Sequence, residues 1–241
     1  MRRTSTRGRL VERAWRHAVV LLGVGALAGC SPVYTTEPIG AVAVHLDPQD
    51  WNGHWAFPED LGRCQSALQA AAGRHSFESP CLSIEVADAE RGVLTIVPTD
   101  GSDPPVWAWV RTVGGVTSPD PRPSSDDERG ATVRTPLRRH QQAQFVSMED
   151  ANDEASPRRL IWAWMARQDD ALVLWPPDAD AFRTLVRAGV IPGEAGNNDV
   201  SLPRLDGPSM DVVTGEFRWD LFDWEQPLVL VRVRGEDPQQ P

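Results

Sequence analysis

Arg159-Leu160-Ile161-Trp162-Ala163-Trp164-Met165-Ala166-Arg167 runs through Gln168-Asp169-Asp170 into Ala171-Leu172-Val173-Leu174-Trp175. Two stretches rich in apolar, β-branched and aromatic residues, joined by a short acidic turn, read as a β-hairpin. A strand of the same make, Val106 to Val113, carries Trp107-Ala108-Trp109 as the hairpin carries Trp162-Ala163-Trp164. Alternate side chains of a strand leave opposite faces, so both indoles of each pair share one face and the alanine takes the other.

Working outward, the same pattern recurs along the chain. Cys81 to Asp88 and Val93 to Pro98 form a hairpin across Ala89-Glu90-Arg91-Gly92, where the glycine supplies the left-handed backbone angle. Gly40 to Leu46, Trp51 to Phe57, Gln144 to Glu149, Asp199 to Leu205, Glu216 to Leu221 and Leu228 to Arg234 complete the strands. One helix stands out: Asp178 is its N-cap, Phe182, Leu185 and Val186 share a face, and Gly189 stops it before Pro192-Gly193. Shorter helical turns are expected at Ser66 to Ala72 and Pro208 to Val213. Many strands and one real helix predict an all-β, mainly antiparallel fold: a meander closed into a lipocalin-like barrel, or a sandwich.

Nine of the ten tryptophans follow residue 29, nearly all in strand-like segments. Their rings either fill the core, each burying about 150–250 Å², or line a cavity for a small apolar or sugar-like ligand. The candidate ligand-binding residues are Trp107, Trp109, Trp162 and Trp164; Trp51 and Trp55 share their parity if their strand is regular. Asn52-Gly53-His54-Trp55 resembles the Gly-x-Trp motif of the lipocalin family, which sits on the first barrel strand. The resemblance rests on Gly53 and Trp55 and implies a barrel whose closed end the tryptophan plugs. Strands follow the helix here, whereas a lipocalin places its helix after the last barrel strand.

The first thirty residues have a different character. Arg2, Arg3, Arg7, Arg9, Arg13 and Arg16 stand against Glu12, then Ala18 to Leu27 carry no charge. That apolar run is short of the roughly 20 residues a membrane span needs, and it ends in Leu27-Ala28-Gly29-Cys30. The arrangement resembles the bacterial lipoprotein signal, whose cysteine is acylated and becomes the new N-terminus. The resemblance implies lipidation at Cys30 and anchoring to the membrane through that lipid. Ser31, in place of an aspartate, implies sorting to the outer membrane of a Gram-negative cell, facing the periplasm. The expected organisation is a signal peptide over 1–29 and an acylated tether over 30–39. A single β-rich domain over 40–234 then carries a mobile insertion at 117–143, and a disordered tail covers 235–241. The insertion holds Pro119, Pro121 and Pro123, the acidic Asp126-Asp127-Glu128, then Arg129, Arg134, Arg138 and Arg139.

Charge narrows the partners. The chain has 24 basic residues, all arginine, against 34 acids, a net charge of −10. Losing six arginines and one glutamate with residues 1–29 leaves the mature chain at −15. Such a field repels phosphate backbones, which argues against nucleic acid. Cys64 and Cys81 remain after Cys30 is lipidated, as a disulfide in an oxidising compartment or as two free thiols.

Signs of catalysis are weak. The sequence holds no G-x-S-x-G elbow, S-x-x-K, P-loop or dinucleotide glycine pattern. His45, Asp47 and His54 are the one set with metal-ligand chemistry, without a supporting helix spacing. His75 falls between the cysteines and His140 in the insertion, poor places for a preorganised base. Asp169-Asp170 reads as a turn and Asp178/Asp180 as a helix cap, while Glu216, Trp219, Asp220, Asp223, Trp224 and Glu225 resemble a carbohydrate-contacting surface. The sequence therefore predicts a non-enzymatic envelope lipoprotein without cofactor or metal. Either it binds a small apolar ligand in a Trp-lined barrel, or it acts on an envelope protein through its exterior.

Overall fold

Eight strands follow one another around a closed barrel in a computed structural model that describes residues 32–71, 80–99, 104–117, 142–149, 159–197, 199–205, 207–214 and 219–234. In chain order the described strands are β1 (Val33–Thr35), β2 (Val42–Ala43), β3 (Gly53–Ala56), β4 (Leu82–Asp88), β5 (Val93–Pro98), β6 (Val106–Thr117), β7 (Gln142–Glu149), β8 (Leu160–Gln168), β9 (Ala171–Trp175), β10 (Glu194–Ala195), β11 (Val200–Leu202) and β12 (Leu228–Arg232). From β3 to β9 each strand pairs antiparallel with the next; β12 pairs with β9 and closes back onto β3. The architecture is a lipocalin-like meander barrel, not a sandwich. Gly92, at φ +65°, turns the β4–β5 hairpin, and a Cβ there would stand 2.5 Å from the Val110 carbonyl oxygen. Asp169, at φ 44°, turns β8 into β9.

Strand alternation separates two apolar regions. Ile84, Leu94, Ala108, Val110, Val146, Met148, Ile161, Ala163, Met165, Leu172, Leu174 and Leu230 point inward and pack as one buried cluster with Leu46, Trp51 and Trp55. An eight-stranded barrel has an interior just wide enough for side chains to fill or for one small ligand. Here aliphatic side chains supply most of that lining.

Trp55 is a member of this buried cluster. Its ring is fully buried, and its Nε1 donates to the Trp51 carbonyl at 3.1 Å. The expectation of a regular strand from Trp51 is corrected. Asp47 accepts from the Gln49 amide and Pro48 stands at the first helical position, so Pro48–Trp51 forms a one-turn helix, α1, across the barrel end. Arg232 donates to the carbonyls of Gln49 and Asn52 at 2.9 and 2.6 Å. Arg167 bonds Asp50 at 2.8 Å and lies over the Trp51 ring. That hydrogen bond chiefly holds the Asp50 carboxyl below its usual value; desolvation opposes it, and the charges of Arg167 and Arg232 add smaller lowering contributions.

Helix α2 (Leu61–Ala71) starts earlier than the turn expected at Ser66 and carries Cys64, which is bonded to Cys81 just before β4. The bridge is packed with Ala56 and Val233, and closing a loop of this length contributes about 3 kcal/mol in the chain-entropy account.

The remaining elements cover part of the barrel's outside. Helix α3 (Ala179–Arg187) has the predicted cap, with Asp178 accepting from the amides of Asp180 and Ala181. Helix α4 is Gly207–Thr214. Two expectations are corrected here. Residues 33–35, placed in a tether, form β1, which pairs antiparallel with β8 and parallel with β11. Val33, Thr35 and Ile39 are buried, so the fold begins before Gly40. Trp219–Leu221, placed in a strand, is a 3-10 turn. The segment 1–29, Cys30, His75, His140, all but the ends of the 117–143 insertion, and the tail from 235 lie outside the described residues. Among the described residues no helix is long and apolar enough to cross a membrane.

Candidate functional site

The two Trp-Ala-Trp strands flank β7, and their indoles share the barrel's outer face. Trp109 pairs with Ser147 and Ser147 with Trp162; Arg111 pairs with Phe145 and Phe145 with Trp164. Ala108 and Ala163 point inward, so the predicted parity holds, with the indoles outside the barrel.

The N-terminal segment makes a partition across this wall. The Ile39 amide donates to Ser147 Oγ at 3.0 Å. Gly40 follows at φ +99°, where a Cβ would stand 2.9 Å from Arg111 Cβ. Only glycine takes that backbone angle so close to β6 without strain.

On the β8 side the wall is covered. Trp162 meets Phe182 of α3 edge-on at 5.5 Å and Phe222 at 5.7 Å. Trp164 meets Phe145 at 5.1 Å, Phe222 at 5.3 Å and Trp224 at 5.6 Å. These distances and tilts are those of favourable aromatic pairs. Among the described residues the Nε1 groups of Trp162 and Trp164 have no hydrogen-bond acceptor, so apolar and ring contacts hold these indoles.

On the β6 side the wall borders a groove of about 730 Å³. Trp107, Trp109 and Arg111 line it from one strand face, beside the ladder partners Val93 of Trp109 and Ala43 of Arg111 and the turn from Asp88 to Arg91. Trp107 is 39% exposed, unlike the buried Trp162 and Trp164. Two carboxylates and two arginines line the groove. Arg91 Nε lies 3.7 Å from Asp88, and Glu90 lies 3.2 Å from His45 Nδ1. Among the described residues Arg111 makes one long contact, Nη1 to the Gly40 carbonyl at 3.5 Å, and its Nε–H has no acceptor.

The other sequence candidates separate. Asp47 caps α1 and His45 faces Glu90, and no group of three metal-ligating side chains gathers among the described residues. In the acidic–aromatic group near 220, Trp224 packs on Trp164 and Trp175, while Asp223 accepts from the Gln226 amide. Glu216 and the Trp219 side chain lie outside the described residues. Asp180 pairs with Arg183, and Asp170 with Arg234. Cys64 and Cys81 are bridged away from the groove. Arg111 was absent from the predicted set, although its place two residues after Trp109 gave it the same strand parity. The chain matches no family model, no curated protein and no solved structure.

Proposed function

We propose that this protein is a non-enzymatic binding lipoprotein of the cell envelope. It is acylated at Cys30, held at the outer membrane facing the periplasm, and binds a small ligand with an apolar face against Trp107 and Trp109. The observation that carries this reading is the groove of about 730 Å³ on the barrel wall, with two neighbouring indoles on one side and Trp107 39% exposed. Indole is a large flat apolar surface, and leaving it in contact with water at a concave site is the usual mark of a binding face. The interior cluster supports placing the ligand outside, because side chains from the barrel strands already meet in the lumen.

Tryptophan fluorescence of the mature chain bearing Cys30→Ser tests the binding half of the reading. Titration with apolar probes is expected to give a saturable change that Trp107→Ala with Trp109→Ala abolishes. A saturable change that survives this double substitution would move the ligand elsewhere. Mass spectrometry of the mature N-terminus tests the anchoring half: a diacylglyceryl group on Cys30 is expected, and an unmodified Cys30 sinks it. The buried cluster inside the barrel also supports a second reading, an envelope interaction module using the same outer surface. Crosslinking through Trp107-adjacent positions to an envelope protein, with no response to apolar probes, would select it.

A further inference from the structure

We infer that the ligand of the Trp107–Trp109 groove is a monoanionic amphiphile, its apolar body on the two indoles and its carboxylate on Arg111. This inference rests on the groove being the binding site and adds the chemical class of what it takes.

Trp107, Trp109 and Arg111 are alternate residues of β6 and line the groove together. In an extended strand side chains two apart stand about 6–7 Å from each other, so an apolar surface of two indoles ends at a guanidinium. The other charges lining the groove are already engaged. Asp88 lies 3.7 Å from Arg91 Nε and also accepts from the Arg91 amide at 3.0 Å, and Glu90 faces His45. Arg111 has no carboxylate within ion-pair distance among the described residues; its one contact is the Gly40 carbonyl at 3.5 Å. A guanidinium presents a planar fork of donors suited to a carboxylate, and an uncompensated one beside apolar surface gains more from an anion than one in open water.

The groove is also placed for a single molecule rather than a membrane surface. The mature chain carries a net charge of −15, which repels anionic bilayers, whereas one small carboxylate meets mainly the local field of Arg111. The matched test uses decanoate and 1-decanol, which share an alkyl chain and differ in charge. Each is titrated into the mature chain bearing Cys30→Ser, with tryptophan fluorescence as the readout. Decanoate is expected to bind roughly tenfold more tightly than decanol, the size of one charge-assisted hydrogen-bonded contact. Added salt is expected to narrow that gap. Arg111→Gln should bring decanoate to the level of decanol while leaving decanol unchanged. Arg63→Gln, at an arginine outside the groove and paired with Asp60, should preserve the difference, and unchanged melting of both variants shows that folding is intact. Equal binding of the two probes, or decanoate binding indifferent to Arg111→Gln, overturns the anion and leaves the groove standing. Absence of binding by either probe overturns both. Binding of anionic phospholipid vesicles in preference to monomeric decanoate would overturn the single-molecule ligand.

Discussion

Trp162-Ala163-Trp164 on β8 and Trp107-Ala108-Trp109 on β6 are the same three residues on strands separated only by β7, and they meet opposite fates. In both, the alanine points into the barrel and the indoles point out. Over β8 the chain returns as α3, the Leu205 to Val213 region and Leu221-Phe222, and buries both rings in a ring-to-ring cluster. Over β6 nothing of that kind lies among the described residues, and Trp107 borders a groove. The difference teaches that parity selects a face, while a later stretch of chain decides whether that face becomes core or surface.

The comparison can be broken most directly by truncating one ring of each pair. Trp164→Ala removes a buried indole from a packed cluster and is expected to cost about 3–5 kcal/mol. Trp107→Ala is expected to change stability by no more than about 0.5 kcal/mol. Urea denaturation of the two variants measures both; equal losses would mean that the faces are not different in kind.

The partition is next in size. Gly40→Ala places a Cβ 2.9 Å from Arg111 Cβ at φ +99°. A side chain held in such backbone geometry costs about 1–3 kcal/mol. Displacement of Arg111 should also alter the groove while the Trp162–Trp164 side keeps its fluorescence. A loss of stability with an unchanged groove would show that Gly40 does not divide the two faces.

A smaller effect loosens the cover alone. Asp178→Ala removes the N-cap of α3 and should cost about 1 kcal/mol. Acrylamide quenching of the buried indoles should rise, and Trp107 should be unaffected. Quenching that rises only at Trp107 would contradict the assignment of α3 to the β8 side.

The smallest expected effect lies at the barrel end, apart from both indole faces. Asp50 titrates below its usual range, chiefly through the hydrogen bond from Arg167. A depressed carboxylate contributes stability that is present above its unfolded pKa and lost as pH falls through the lower folded value. Half-exposed, it contributes little. The stability difference between wild type and Asp50→Asn should therefore shrink on acidification below the ordinary carboxylate range, measured by denaturation from neutral to acid pH. A difference that stays constant across that range removes Arg167–Asp50 from the account of the barrel end.

Much of this organisation was legible before any coordinates. Period-two patterning and turn residues placed the main strands, Asp178 marked α3, and Cys64 with Cys81 offered a bridge that the structure contains. The misreadings have physical causes. Trp51 looked like strand because aromatic residues favour strands, yet Asp47-Pro48 supplied a cap and a first helical residue that won locally. Val33 to Thr35 looked like tether because three residues carry too little pattern to announce a strand whose partners, β8 and β11, are far along the chain. Arg111 carries little signal in the sequence because a lone arginine on a strand is ordinary; its chemistry comes from what surrounds it in the groove.

By itself, the sequence determined the antiparallel β class, the common orientation of each indole pair, the acidic surplus of the chain and the character of its first thirty residues. These follow from local terms: strand alternation, turn propensity and summed charge. The tertiary structure alone decided that the meander closes into a barrel, that aliphatic side chains supply most of its inner lining, and that the chain after β9 covers one tryptophan pair and leaves the other beside Arg111. The physical reason is that burial is a contact between distant segments. Identical residues acquire different roles according to which part of the chain comes back to cover them.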